Sequence, residues 1–242
     1  MKFLALFLIA LLASCHGAEV AESLAAQERS VSSNIVDGLE ALKIVMENGS
    51  EKHNIPVVSP LKLEHRQFSF STGELSANGE VQDFTLEGLS AYDIVVMKTN
   101  LILSRIDYEL NFPSLNLTTQ YKADVGSGYR MEREGGAFLA LEDLNISGRI
   151  SYSLGVISGE LSVKSINVYV KVGKVVSEIE NLSKYRILND KLNEIIVEFI
   201  TLSINDNTDW VANYINELLT PMCNNLIDGR SLSDILGLLT NL

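Results

Sequence analysis

The spacing of apolar residues divides the chain into a helical start, a long run of strands and a helical end. An apolar stripe in residues 30–47 predicts an amphipathic helix that Asn48-Gly49 would end. From residue 186 the helical spacing returns in two further segments, the second of which contains Pro221, and Ser231 could cap a last short helix. The stripe of the first of these segments consists of Leu188, Leu192, Ile195, Phe199 and Leu202. We expect the helical region Leu188–Leu242, helped by helix 30–47, to cover the dry face of a sheet.

Between residues 64 and 172 apolar and polar residues alternate, which predicts an antiparallel sheet with one apolar face. The predicted turns between strands lie at segments rich in glycine: Thr72-Gly73, Asn78-Gly79, Gly126-Ser127-Gly128, Gly135-Gly136, Gly148 and Ser158-Gly159. Strand–helix–strand units do not alternate, so the fold class is α+β. The absence of a proline-rich or charged linker favours one domain over residues 19–242.

The first eighteen residues have the pattern of a secretory signal peptide. Lys2 precedes an apolar run, and small or weakly polar residues follow it up to Ala18. The run is too short to cross a membrane, so no stable membrane anchor is expected. The preferred cleavage point is after Gly17, which predicts a secreted, extracellular protein. The alternative is a bacterial lipoprotein lipidated at Cys15, because Leu12-Ala13-Ser14-Cys15 fits that pattern too.

The composition narrows the class of partner. The chain has 242 residues and a net charge of −12, so its surface repels phosphate backbones and nucleic acid is not expected as a partner. Removal of the signal leaves one cysteine, Cys223, in an apolar helical segment. It is either a buried small hydrophobe or a thiol that could pair between chains. Four sequons suit a secreted glycoprotein: Asn48, Asn116, Asn145 and Asn181.

The residues do not form the pattern of an enzyme. Outside the signal only His53 and His65 could act as imidazole bases, and both lie in polar surroundings. The sequence has no Gly-x-Ser-x-Gly nucleophile turn, no dinucleotide loop and no zinc-binding spacing of cysteine or histidine. We therefore expect no catalysis, no metal and no cofactor.

A strongly curved sheet around a helix could leave an apolar tunnel, while a solid core is the simpler alternative that the pattern alone does not exclude. The candidate wall residues for a ligand are Phe68, Phe70, Phe84, Leu86, Tyr108, Phe112, Phe138, Leu141, Tyr152, Val168, Phe199, Trp210 and Ile215. In the tunnel case an apolar ligand would leave water for a dry cavity.

Residues 30–240 resemble the insect takeout and juvenile-hormone-binding proteins, and more distantly the mite group-seven allergens. The resemblance lies in five segments that occur in the family's order: Ile55-Pro56 with Ser59-Pro60-Leu61, Val81 to Ser90 with its Gly88-Leu89-Ser90 end, Leu115-Asn116-Leu117 with Tyr121, Gly135-Gly136-Ala137-Phe138, and Glu217-Leu218-Leu219-Thr220-Pro221. Takeout-type proteins also carry an N-terminal cysteine pair, which this chain lacks after signal removal. Ser59 stands where the family often has Asp.

The resemblance implies an elongated tubular lipid-binding (TULIP-like) fold, in which a curved antiparallel sheet wraps a long C-terminal helix. It implies a secreted carrier whose tunnel holds a small hydrophobic ligand, such as a terpenoid, a fatty acid or another lipid. The alternative is a secreted surface-interaction protein, allergen-like or active in innate immunity, with a solid core.

Overall fold

The computed structural model describes residues 24–51, 55–72, 75–126, 130–154, 160–206, 208–227 and 229. Its elements follow the predicted order of helix, strands and helices. They are α1 (Leu24–Asn48), β1 (Leu61–Thr72), β2 (Leu75–Glu87), β3 (Asp93–Asn100), β4 (Arg105–Gly126), β5 (Arg130–Leu154), β6 (Leu161–Ile179), α2 (Arg186–Asn205) and α3 (Thr208–Ile227). The α+β fold class is confirmed. The predicted signal peptide and the short helix expected after Ser231 lie outside the described residues.

The six strands form one antiparallel sheet. Its order is β1-β2-β4-β5-β6, and β3 pairs with the other end of β4. The sheet is large and curved but not closed, and the helices pack on it. Both C-terminal helices lie against β6, at one edge of the sheet. The predicted antiparallel sheet is therefore confirmed, and among the described residues its edge strand is where the C-terminal helices dock.

Three predicted turns are wrong because their glycines lie inside strands. Asn78-Gly79 belongs to β2, and Gly135-Gly136 and Gly148 belong to β5. These strands are longer than the sequence suggested, at 13 and 25 residues. At Gly148 a Cβ atom would lie 2.0 Å from the carbonyl oxygen of Asn167 on β6. That glycine permits the close approach of a neighbouring backbone and does not reverse the chain.

Helix α1 covers one end of the sheet with the predicted stripe. Ile35 and Leu39 have no exposed surface, and Leu42 and Met46 are also buried. The Tyr92 hydroxyl donates to the carbonyl oxygen of Leu39 at 2.7 Å, so burial satisfies its polar atom. The helix prediction is confirmed, with a start at least as early as Leu24 and an end before Gly49, whose φ is 72°.

The buried core lies between α1, α3 and the facing halves of β4, β5 and β6. Alternate residues of the strands supply it: Ile106, Tyr108, Leu110, Phe112, Leu144, Ile150, Tyr152, Ile166, Val168 and Val172. Helix α3 adds Leu219, Cys223 and Ile227. These residues form one continuous buried cluster, which we call the buried core.

Five asparagines of the C-terminal helices, which we call the asparagine row, satisfy the free edge of β6. They are Asn189, Asn193, Asn205, Asn216 and Asn224. Asn224 accepts from the Val163 N–H at 2.8 Å and donates to the Val163 carbonyl at 2.9 Å. Asn205 does the same at Val172, and Asn193 at Ile179. A carboxamide carries the same donor and acceptor as a peptide group, so the row replaces a seventh strand.

The asparagine row also fixes the rotation of α2 about its own axis. Val197, Ile200 and Ile204 share the side of Asn193 and pack against the core. The predicted stripe lies on the other side, where Ile195 is 59% and Phe199 70% exposed. The C-terminal helices do pack on the sheet as expected, but the stripe of α2 is not the side that covers it, because the asparagines turn the other side toward the β6 edge.

Cys223 has no exposed surface, which agrees with its interpretation as a buried small hydrophobe. Burial raises the pKa of its thiol to about 11. An intermolecular disulfide through Cys223 would require α3 to leave the sheet.

We predict that Asn224→Ala lowers the free energy of unfolding by about 1–3 kcal/mol, because two backbone groups of Val163 lose their partner. Urea denaturation measures the change. Asn225→Ala is the matched control, because Asn225 is exposed in the same turn of α3 and has the same helix propensity. Equal losses in the two variants would contradict the role of the asparagine row.

We predict that a thiol reagent at pH 8 labels Cys223 only when the chain unfolds. With a pKa of about 11, roughly one thiol in a thousand is ionised at that pH, and burial blocks access as well. Absorbance of the released reagent group, followed with and without denaturant, measures the two rates. Fast labelling of the folded chain would show that α3 opens from the sheet.

Candidate ligand-binding site

The apolar face of the sheet continues beyond the buried core as a half-buried strip. Strand register places Leu61, Leu86, Leu117 and Leu139 side by side on β1, β2, β4 and β5. Leu115 and Leu141 form a second row that ends at Val175 on β6. We call these six leucines the leucine strip.

The leucine strip adjoins the buried core but is not covered as the core is. Leu115, Leu139 and Leu141 pack against the buried cluster, while all six leucines keep part of their surface exposed. At the usual spacing between strands the first row is roughly 14 Å wide. An apolar surface of this size is suited to the chain of a lipid-like molecule.

A groove of about 1190 Å³ lies beside α2 at the β6 edge, and its border includes Val175 and Ser177, the β6 ends of the two leucine rows. Phe138 pairs with Thr118 and Glu178, and these three residues border the groove. Because neighbouring residues of a strand point to opposite faces, the side chains of Phe138 and Leu139 lie on opposite faces of the sheet. Carboxylates of α2 border the groove as well: Asp190, Glu194 and Glu198. The groove therefore combines acidic side chains of α2 with apolar residues of β5 and β6.

The candidate wall residues do not all lie together. Four of them belong to the buried core: Tyr108, Phe112, Tyr152 and Val168. Leu86 and Leu141 belong to the leucine strip, and the half-buried Phe84 lies two residues before Leu86 and pairs with Leu63.

The remaining candidates lie elsewhere. Phe138 borders the groove, Phe68 is 40% exposed on β1 and Phe199 is 70% exposed on α2. The side chains of Phe70, Trp210 and Ile215 lie outside the described residues. Contact of any of these residues with a ligand stays a prediction.

The sequence-based choice missed four leucines of the strip: Leu61, Leu115, Leu117 and Leu139. Their alternation is visible in the sequence, but most of the candidate wall residues for a ligand are aromatic. The register that aligns the leucines across four strands depends on long-range pairing, which the local pattern does not contain.

Ionisable groups in the described part of the chain do not form a metal-binding cluster. No group of three or more His, Cys, Asp and Glu side chains could hold a metal there. His65 Nε2 lies 2.9 Å from Glu80 Oε2 on the exposed face of the β1–β2 pair, and this hydrogen bond lowers the pKa of Glu80. Burial raises the pKa of Tyr108, whose hydroxyl lies 3.3 Å from the Asn167 carbonyl oxygen that accepts from it. These contacts are structural.

The sequons differ in their surroundings. Asn48 and Asn181 are exposed at the ends of α1 and β6. Asn116 and Asn145 are half-buried within β4 and β5, and Asn145 donates to Glu109 Oε1 at 2.8 Å. Glycosylation of the four stays a prediction.

The sequence matches the family of haemolymph juvenile hormone binding proteins over residues 4–237. The chain belongs to this family. The resemblance drawn from its motifs is thereby confirmed. A search of curated proteins gives no match.

Two solved structures are similar to this family member. Takeout 1 of Epiphyas postvittana is 16% identical with a TM-score of 0.49, and the alignment covers 87% of this chain and 92% of that one. A lipopolysaccharide binding protein is 11% identical with a TM-score of 0.37, over 77% of this chain and 38% of that one. In the described residues, no helix is long and apolar enough to span a membrane.

We predict that Leu139→Ala weakens binding of the neutral apolar probe N-phenyl-1-naphthylamine about fivefold, because three carbons of the leucine strip are lost. Phe138→Ala is the matched control and should change the affinity less than twofold, since its side chain serves the other face. Probe fluorescence measures both constants, and thermal unfolding checks that both variants fold. Equal weakening by both variants, or weakening by Phe138→Ala alone, would place the probe elsewhere.

Proposed function

We propose that this protein is a secreted carrier that binds a small hydrophobic ligand on the leucine strip. The single observation that carries the proposal is the strip itself. Six leucines in register stay half-exposed beside a fully buried core. Exposure of such an apolar surface to water is unfavourable. A ligand that covers it lowers the free energy by about 25 cal/mol for each Å² removed from water. The family's juvenile hormone binding and the predicted signal peptide support a carrier that works outside the cell.

The chemistry around the leucine strip favours a ligand without charge. Both rows consist of apolar side chains with Ser177 and Val175 at the β6 end, so neither row contains a basic group to pair with a carboxylate. Lys174 points to the other face, where it lies 3.0 Å from Glu142. With a net charge of −12, the protein repels an anionic ligand further. We infer that an ester or alcohol of the terpenoid or lipid class binds better than a free fatty acid.

We predict that a long-chain methyl ester displaces N-phenyl-1-naphthylamine from the full chain at pH 7 at least tenfold more strongly than the fatty acid of the same length. The ester needs no ionic partner, whereas the carboxylate must be desolvated without one. Competition fluorescence measures both constants below the concentration at which either compound aggregates. Stronger displacement by the acid would contradict the choice of ligand class, and no displacement by either would contradict the carrier function.

Native mass spectrometry of the protein purified from a eukaryotic secretion host tests the carrier function without a chosen ligand. We expect adducts of a neutral lipid mass that organic extraction removes. Cleavage of the signal after Gly17 would appear in the same spectrum as the mass of the mature chain. A lipid-free spectrum, together with failure of both competitors, would favour the surface-interaction alternative.

A further inference from the structure

The outward side of α2 carries an apolar stripe that is largely exposed in the described part of the chain. Tyr185, Leu188, Ile195, Phe199 and Leu202 are each between 48% and 70% exposed. None of the residues of α2 is buried. A contiguous stripe of this kind on a soluble protein indicates an interaction surface.

The stripe does not cover the protein's own sheet, because the other side of α2 is already bound there. Asn193 and Asn205 each exchange two hydrogen bonds with the β6 edge. A half-turn of α2 would break these bonds and expose Val197, Ile200 and Ile204. The stripe therefore stays exposed in the described part of the chain and is available to a partner.

The spacing of the stripe is that of a coiled-coil seam. Leu188, Leu192, Ile195, Phe199 and Leu202 alternate in steps of four and three, which are the a and d positions of a heptad. Helix α2 has 20 residues and is therefore about 30 Å long. Such a seam fits another helix of the same length.

Charges beside the seam make it complementary to an antiparallel copy of itself. If Leu192 faces Ile195 of the partner subunit, then Leu188 faces Phe199 of the partner subunit. Lys191 then lies beside Glu198 of the partner subunit, and the twofold axis repeats this ion pair. Within one chain Lys191 is ion-paired with Glu194, and because both side chains are more than 60% exposed, a second carboxylate can approach the Lys191 ammonium from the solvent side.

We propose that the protein forms a reversible homodimer in which two α2 helices pack antiparallel through this seam. A helix-on-helix contact about 30 Å long is at the small end of specific interfaces, which corresponds to a dissociation constant of roughly 10 µM. A net charge of −12 on each copy disfavours an anionic membrane as the partner. The dimer is independent of the ligand, because the leucine strip lies on a different surface.

Sedimentation equilibrium of the full chain from 1 to 200 µM at physiological ionic strength tests the proposal. We expect a monomer–dimer equilibrium that Phe199→Ser weakens at least tenfold, because the mutation removes an aromatic layer from each side of the seam. Val95→Ser is the matched control, since Val95 is 55% exposed on β3 and should leave the dimer unchanged. A protein that stays monomeric at 200 µM, or a dimer that Phe199→Ser does not weaken, would overturn the proposal.

A charge exchange tests the antiparallel register. Lys191→Glu alone should weaken the dimer about tenfold, because it places like charges together at two symmetric points. The double variant Lys191→Glu with Glu198→Lys should restore the affinity of the wild type to within about twofold. A seam bound to lipid or to another part of the same chain would show no such restoration, and that result would also overturn the proposal.

Discussion

The free edge of β6 imposes the constraint on which the rest of the arrangement depends. A strand at the edge of a sheet presents unpaired N–H and C=O groups, and here side-chain amides satisfy them in place of another strand. A side-chain amide that accepts from the N–H and donates to the C=O of one β6 residue leaves its helix little freedom to rotate. The positions of Asn193, Asn205 and Asn224 therefore decide which sides of α2 and α3 face the core.

The constraint at the β6 edge explains why the chain has both a buried core and partly exposed apolar surfaces. Helix α3 reaches the sheet with Leu219, Cys223 and Ile227 and closes the core at that end. Helix α2 reaches it at the other end only through the side that carries Asn193 and Val197. The leucine strip and the seam of α2 stay partly in contact with water as a result. We propose a different partner for each surface, a neutral ligand for the strip and a second copy for the seam.

Much of the fold could be predicted from local patterns. The stripe of α1, the alternation of β4 to β6 and the helical spacing after residue 186 each depend on neighbours in sequence, and each prediction agrees with the structure. The turns at Gly79, Gly136 and Gly148 were wrong because a local pattern does not distinguish a glycine that turns the chain from one that lets two backbones approach.

The orientation of α2 and the composition of the candidate site could not be predicted from local sequence patterns, because both depend on long-range contacts. The stripe at Ile195 and Phe199 follows the rule for a core helix, but hydrogen bonding at Ile179 and Val172 decides its direction. The site depends on the register of four strands, so Leu117 and Leu139 become neighbours only in the folded sheet. Most of the candidate wall residues for the ligand are aromatic, but Tyr108, Phe112 and Tyr152 lie in the buried core.

Methyl NMR of the leucine-labelled protein during titration with a neutral long-chain ester tests the central claim most directly, because each leucine reports its own contact. The account predicts chemical-shift changes at Leu86, Leu115, Leu117, Leu139 and Leu141, with Leu188 and Leu202 of the seam unchanged. Changes confined to the seam, or none up to saturation of the ester in water, would contradict a ligand site on the leucine strip.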